Sequence, residues 1–166
     1  MKAAIVMGSK SDYPVVERAE RVLKAFEVEC ETRILSAHRT PELVKGFAVE
    51  AELNGIEVII AAAGKAAHLA GVIASLTPLP VIGLPIKSST LDGLDSLLSV
   101  VQMPNGVPVA TVAIDGGENA GLLAVQILSV KYDNLRREIR KYKEDMARAI
   151  ERLDEEFRSD ADKCEQ

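Results

Sequence analysis

The sequence predicts an α/β protein: a three-layer α/β/α sandwich around one five-stranded parallel sheet, with a long C-terminal helix. Three observations predict it. Short apolar runs alternate with longer amphipathic segments along the chain, the pattern of repeated strand–helix units. The run from Glu57 to Ala62 is almost continuously apolar, as a strand covered on both faces requires. The chain has 166 residues, 48% hydrophobic and only 4% aromatic, with no Trp. That composition suits one compact core of small and branched side chains.

Each element has a local reason. Ala3 to Met7 form a first strand. A helix follows from Asp12 to Phe26, with Asp12 as its cap and Pro14 in its first turn. Val28 to Leu35 form a second strand, and the polar stretch Cys30-Glu31-Thr32-Arg33 suits an outer position. Thr40-Pro41-Glu42 starts a helix with a cap residue, a proline and an acid near the positive end of the dipole. Asn54-Gly55 ends it after Leu53. Glu57 to Ala62 is the central third strand, followed by a short helix from Ala66 to Ser75.

Leu79 to Leu84 is the fourth strand, with Pro80 at its start, where a missing amide does least harm. The loop Lys87 to Asp92 leads to a helix through Val101. Val107 to Ile114 is a fifth strand, and Asn119 to Val130 a buried helix. Right-handed crossovers then favour a flavodoxin-like strand order.

From Lys131 to Phe157 the chain is charged and helical. Tyr132, Leu135, Ile139, Tyr142, Met146, Ile150, Leu153 and Phe157 form one apolar stripe. Either this helix folds back on its own core or it docks on a neighbouring subunit. The organisation is thus a domain over 1–130, a helix over 131–158 and a polar, frayed tail over 159–166.

Charge and composition narrow the function. A net charge of −5 and few aromatics disfavour a nucleic-acid surface. Cys30 and Cys164 match no metal spacing or disulfide framework. The apolar run at the N-terminus is too short for a signal peptide, and no segment is long enough for a membrane span. A cytoplasmic protein without metal or cofactor is expected.

The two histidines, His38 and His68, both follow buried strands and sit among small residues. Imidazole suits proton transfer near neutral pH, and ligands of open α/β sheets bind where strands end. Gly8-Ser9-Lys10-Ser11-Asp12 could present amides and hydroxyls to an anion, or be a plain capped turn. Ser36-Ala37-His38-Arg39-Thr40-Pro41 places a guanidinium beside an imidazole, and Arg can clamp a phosphate with two prongs. Arg39 could equally pair with a surface acid. Gly64, Lys65, Ala66 and Leu69 belong to a small-residue segment that allows close approach of backbone to ligand, or merely tight packing. Pro85 to Thr90 lies on the same side of the sheet. Gln102 to Gly106 lies on the other, so a site using both needs a second subunit or a turned-back loop.

Taken in order, Met7-Gly8-Ser9-Lys10-Ser11-Asp12, Ser36-Ala37-His38-Arg39-Thr40-Pro41, Ala66-Ala67-His68-Leu69, Gly93-Leu94-Asp95-Ser96-Leu97-Leu98-Ser99 and Val101-Gln102-Met103-Pro104 closely resemble the N5-carboxyaminoimidazole ribonucleotide mutases. These are the mutase branch of the phosphoribosylaminoimidazole carboxylase catalytic-subunit family, and the likeness spans about residues 2–145. The resemblance implies a homo-octamer with sites at subunit junctions and a small ribonucleotide substrate. It implies that Ser9 and Arg39 hold phosphate, Asp12 takes ribose hydroxyls, and Ser36, Gly64 and Ala66 line the imidazole and carboxylate. Gly8, Ser11, Ala37, Lys65 and Leu69 complete the expected substrate-binding set. His38 resembles the acid–base, and His68 the second histidine beside the migrating carboxylate. Two positions depart from the family's usual Ala-Gly-Gly-Ala-Ala-His-Leu-Pro-Gly: Lys65 replaces the second glycine and Ala70 the proline.

The implied reaction protonates the exocyclic nitrogen, releases carbon dioxide into a closed pocket and recaptures it at ring C4. One imidazole can give and then take the proton, and confinement replaces ATP, biotin or metal. The rival activities are direct carboxylation with free carbon dioxide and a non-catalytic flavodoxin-like nucleotide-binding module. A protein that works only through assembly of its terminal helix is a third.

Overall fold

A computed structural model, describing the backbone of residues 1–164 and the side chains of residues 1–160, contains a five-stranded parallel sheet. Its strands are β1 (Lys2–Met7), β2 (Glu29–Ile34), β3 (Val58–Gly64), β4 (Val81–Ile86) and β5 (Ala110–Thr111). The helices are α1 (Tyr13–Ala25), α2 (Pro41–Glu50), α3 (Leu69–Ala74), α4 (Leu94–Val101), α5 (Gly117–Leu128) and α6 (Asp133–Cys164). The strand order is β2-β1-β3-β4-β5, with parallel pairing throughout. This is the flavodoxin-like order, and its direction reverses between β1 and β3.

Alternate residues of β1, β3 and β4 feed two cores. Ile5, Met7, Ile60, Ala62, Ile82 and Leu84 face α1, α5 and the start of α6. Ala4, Val6, Ile59, Ala61 and Val81 face α2, α3 and α4. Burying each branched side chain stabilises the fold by about 1.5–3 kcal/mol. α1 and α5 approach closely because α5 offers glycines to α1. A Cβ placed on Gly117 would lie 2.1 Å from the Val15 carbonyl oxygen, and one on Gly121 would lie 2.9 Å from that of Ala19.

Several boundaries differ from expectation. β5 pairs over two residues instead of Val107 to Ile114. It is an edge strand, and Pro108 has no amide to donate. β4 continues through Pro85 and Ile86, which pair with Ala63 and Gly64 of β3. Pro85 is tolerated because its carbonyl accepts from the Asp115 amide at 2.9 Å. A strand residue's N–H and C=O point to the same side, so the missing donor faces ground beyond the end of β5.

Two caps also differ. Asp12 makes no side-chain cap to α1; it completes a capping box with Ser9 around a 3₁₀ turn at Lys10–Asp12. Thr40 does not cap α2; its hydroxyl accepts from the Ser36 amide at 2.9 Å and donates to the Ser36 carbonyl at 3.1 Å. α3 begins at Leu69 rather than Ala66, after a tight turn.

α6 divides along its length. Leu135 and Ile139 are buried in the core, whereas Met146, Ile150, Leu153 and Phe157 are 53–75% exposed. The proximal half therefore folds back on its own domain and the distal half leaves its apolar stripe uncovered. The helix runs on to Cys164, past the expected end at 158; residues 165 and 166 of the expected tail lie outside the described residues. No helix among the described residues is long and apolar enough to cross a membrane.

Candidate active site

The loops that follow β1, β2, β3 and β4 surround a cleft of about 690 Å³. It stands above the β1–β3 reversal, where open α/β sheets bind ligands, and its size suits a small organic molecule.

Gly8, Ser9, Ser11 and Asp12 line it from the β1 side. The amides here are mostly satisfied, within the turn or by β3. The Gly8 amide donates to the Ala62 carbonyl at 3.0 Å and that of Asp12 to the Ser9 carbonyl at 3.1 Å. The Ser9 amide donates to Asp12 Oδ2 at 3.1 Å, and the Ser11 amide to Ser9 Oγ at 3.3 Å. An anion here would thus meet hydroxyls rather than a cradle of amides. Ser9 Oγ also accepts from Ser11 Oγ at 2.9 Å, leaving its own proton to donate. Asp12 is buried, and burial pushes its carboxyl up from the ordinary value. The Ser11 hydroxyl, the Ser9 amide and the Arg39 charge pull the other way.

Ser36, Ala37, His38 and Arg39 line the cleft from the β2 side. The Arg39 guanidinium reaches across to β1: Nη2 donates to the Gly8 carbonyl at 2.7 Å and Nε to Ser36 Oγ at 3.3 Å. These bonds hold the side chain against the cleft wall, with Nη1 left for a ligand.

Ala63, Gly64, Lys65, Ala66 and Leu69 line it from β3. Gly64 sits close to β4: an added Cβ would lie 3.3 Å from the Ile86 carbonyl oxygen. Lys65 adopts a left-handed backbone conformation, φ +56°, and its carbonyl accepts from the Ala67 amide at 2.8 Å. His68 is not on the cleft surface. Its Nδ1 lies 3.0 Å from His38 Nε2, with the rings edge to face at 5.1 Å between centroids. The two histidines thus form one solvent-exposed unit, in which His38 lines the cleft.

Ile86, Lys87, Ser88 and Ser89 complete the lining from β4. Sequence reasoning put this loop on the correct side but assigned it no binding residue. Lys87 Nζ pairs with Asp92 at 3.1 Å, and Ser88 Oγ donates to Asp95 at 2.9 Å. Among the described residues no cluster of three or more His, Cys, Asp or Glu could hold a metal.

Comparison with known proteins agrees with this architecture. The family model described as AIR carboxylase matches residues 2–149. An N5-carboxyaminoimidazole ribonucleotide mutase from Pyrococcus abyssi is 60% identical over 147 residues, covering 89% of this chain and 84% of the relative. The mutase from Thermotoga maritima is 56% identical, covering 90% and 87%. The chloroplastic phosphoribosylaminoimidazole carboxylase of Vigna aconitifolia is 58% identical, but the match spans only 26% of that longer protein. The solved structure of PurE from Treponema denticola superposes with a TM-score of 0.86 at 32% identity, covering 93% of this chain and 97% of that one.

Proposed function

The chain belongs to the AIR carboxylase family, and from that membership we propose that it is an N5-carboxyaminoimidazole ribonucleotide mutase of de novo purine synthesis. It is an isomerase that moves the carboxylate from the exocyclic nitrogen to ring C4, giving 4-carboxy-5-aminoimidazole ribonucleotide. The observation that carries this reading is the His38–His68 contact at 3.0 Å beside a ribonucleotide-sized cleft. Relatives 56–60% identical that bear the mutase name support it.

Ser9 and Arg39 bind the phosphate, by the free Ser9 proton and the open Arg39 nitrogen. Asp12 accepts from the ribose hydroxyls. Ser36, Gly64 and Ala66 lie against the base and its carboxylate, while Gly8, Ser11, Ala37 and Leu69 form walls.

The histidine pair gives the proton chemistry a definite form. His38 Nε2 is occupied by His68, so Nδ1 is the nitrogen left for substrate. The pair carries one mobile proton. Two protonated rings would set two N–H groups and two positive charges face to face. In the acid form the pair holds one charge, and His38 Nδ1–H protonates the exocyclic nitrogen. The N–CO₂ bond then breaks, releasing carbon dioxide and neutral aminoimidazole. His38 is left neutral, donating from Nε2 to His68, with Nδ1 free. Ring C4 attacks the trapped carbon dioxide, and Nδ1 takes the C4 proton, restoring the acid form. Confinement keeps the gas at high effective concentration, and the balance needs no cofactor.

The same reading includes a cytoplasmic homo-octamer in which α6 packs on neighbouring subunits. The uncovered Met146, Ile150, Leu153 and Phe157 support that packing; a monomeric mass by light scattering would overturn it. A second reading, direct carboxylation of aminoimidazole ribonucleotide, is favoured by the 58% identity to a protein named as a carboxylase. Purified protein offered N5-carboxyaminoimidazole ribonucleotide, or aminoimidazole ribonucleotide with bicarbonate, decides between them. The mutase reading expects rapid turnover of the first only.

A further inference from the structure

Lys65 stands where its backbone conformation favours glycine. At φ +56° an L-residue costs roughly 1–2 kcal/mol, and glycine pays nothing for it. Lysine nevertheless occupies the position, directly after the last residue of β3 and on the cleft surface. Strain of this kind at a cleft is a reason to ask what the side chain does.

The other side-chain cations that line the cleft have partners, with Arg39 keeping only Nη1 open. Arg39 is bonded to Gly8 and Ser36, and Lys87 is paired with Asp92. Among the described residues no ion pair involves Lys65. It shares one turn with His68, three residues on, and so belongs to the imidazole-pair side of the cleft, opposite in chain origin to the Ser9–Asp12 turn. The substrate of the mutase reading has two anionic groups, a phosphate and a carboxylate.

We propose that the Lys65 ammonium binds the carboxylate of the carboxylated ribonucleotides, as a carbamate in the reactant and as the C4 carboxylate in the product. This rests on the mutase reading above and deepens it. The consequence is specific. Carbon dioxide is neutral, so a cation placed here stabilises both carboxylated ground states and not the decarboxylated intermediate. Lys65 therefore raises affinity for carboxylated ligands and, because it lowers those ground states relative to the intermediate, does not speed the chemical step.

The test compares two ligands that differ only by the carboxylate: 4-carboxy-5-aminoimidazole ribonucleotide and aminoimidazole ribonucleotide. Calorimetric titration of the full-length protein and of Lys65→Met, which keeps length and loses charge, is the central measurement. The Met variant is expected to bind the carboxylated ligand about tenfold more weakly, the scale of one charge-assisted hydrogen bond. It binds aminoimidazole ribonucleotide as the parent does. Lys65→Arg retains the affinity for the carboxylated ligand. Equal weakening of both ligands, or no weakening of either, overturns the assignment. If the parent protein binds neither ligand, it is the mutase reading that fails.

Discussion

Replacing His68 by leucine removes the hydrogen bond to His38 while leaving the cleft surface in place, because His38 lines the cleft and His68 does not. The nitrogen–nitrogen distance of 3.0 Å is that of an ordinary hydrogen bond. In the acid form of the pair the bond involves a charge, which places it at about 1.5–3 kcal/mol. Both rings are exposed in the isolated subunit, so the lower end applies: about 1.5–2 kcal/mol, or roughly a 10- to 30-fold loss in kcat. His68→Asn keeps a polar atom near the position of Nδ1 and should lose less than His68→Leu. Steady-state turnover of N5-carboxyaminoimidazole ribonucleotide, with calorimetric binding of aminoimidazole ribonucleotide beside it, reads both effects. Turnover should rank His above Asn above Leu at unchanged binding. Parental kcat in the leucine variant refutes the pair; so does a loss of binding that matches the loss of kcat.

His38→Asn lowers kcat by about 10²–10⁴-fold, the usual worth of an acid–base group, while aminoimidazole ribonucleotide still binds by calorimetry. Asp12→Asn weakens that binding but raises thermal stability at neutral pH. The native carboxyl is raised above its ordinary value of 3.8, so its contribution to stability is full below that pH and lost as pH rises through the native value. The gain from Asn should therefore shrink in acid, as a series of melting curves will show. Glu27→Gly relieves a left-handed residue (φ +56°) just after the C-cap of α1. Relief of about 1–2 kcal/mol, less about 0.4–1 kcal/mol of added chain entropy, leaves a net gain of about 0.5–1 kcal/mol in urea unfolding. Gly117→Ala drives a methyl to 2.1 Å from the Val15 carbonyl oxygen and costs about 1–3 kcal/mol or more, measured the same way.

How much of the fold was legible depends on how local its causes are. β3 is buried on both sides, so its residues had to be apolar without interruption, and the strand was plain from the chain. β5 reads as an eight-residue run, hydrophobic except at Pro108 and Thr111, but pairs over two, because hydrophobicity reports burial and not the supply of donors beside Pro108. Pro85 misleads in the opposite sense. Proline marks a strand end only when its missing amide faces a neighbour, and that depends on how far β5 reaches. Asp12 shows the same limit: an acid before a proline reads as a helix cap, but Ser9 three residues earlier takes it into a different turn. The division of α6 was invisible, since a stripe shows which face is apolar and not how far the core extends beneath it.

The site was legible as a set of loops and not as a geometry, and the histidine pair shows why. His38 lies four residues beyond the end of β2 at Ile34, and His68 four residues beyond the end of β3 at Gly64. Equal offsets mean nothing until the strand order is known. β2 and β3 are not neighbours; both flank β1, and Met7 pairs with Ile34 on one side and Ala62 on the other. Ile34 is thus level with Ala62, and β3 runs two residues further before its loop leaves; the two loops, about 10 Å apart across one intervening strand, are within reach of two side chains. They meet only if the chain leaving β1 stays low between them. Gly8 permits this, its amide turned down to the Ala62 carbonyl and its own carbonyl held by Arg39. The strand reversal thus brings two imidazoles thirty residues apart into contact and sets the loop after β1 on the same cleft as His38. A sheet with β2 next to β3 would leave the same residues at the same spacings without room for a substrate between their loops.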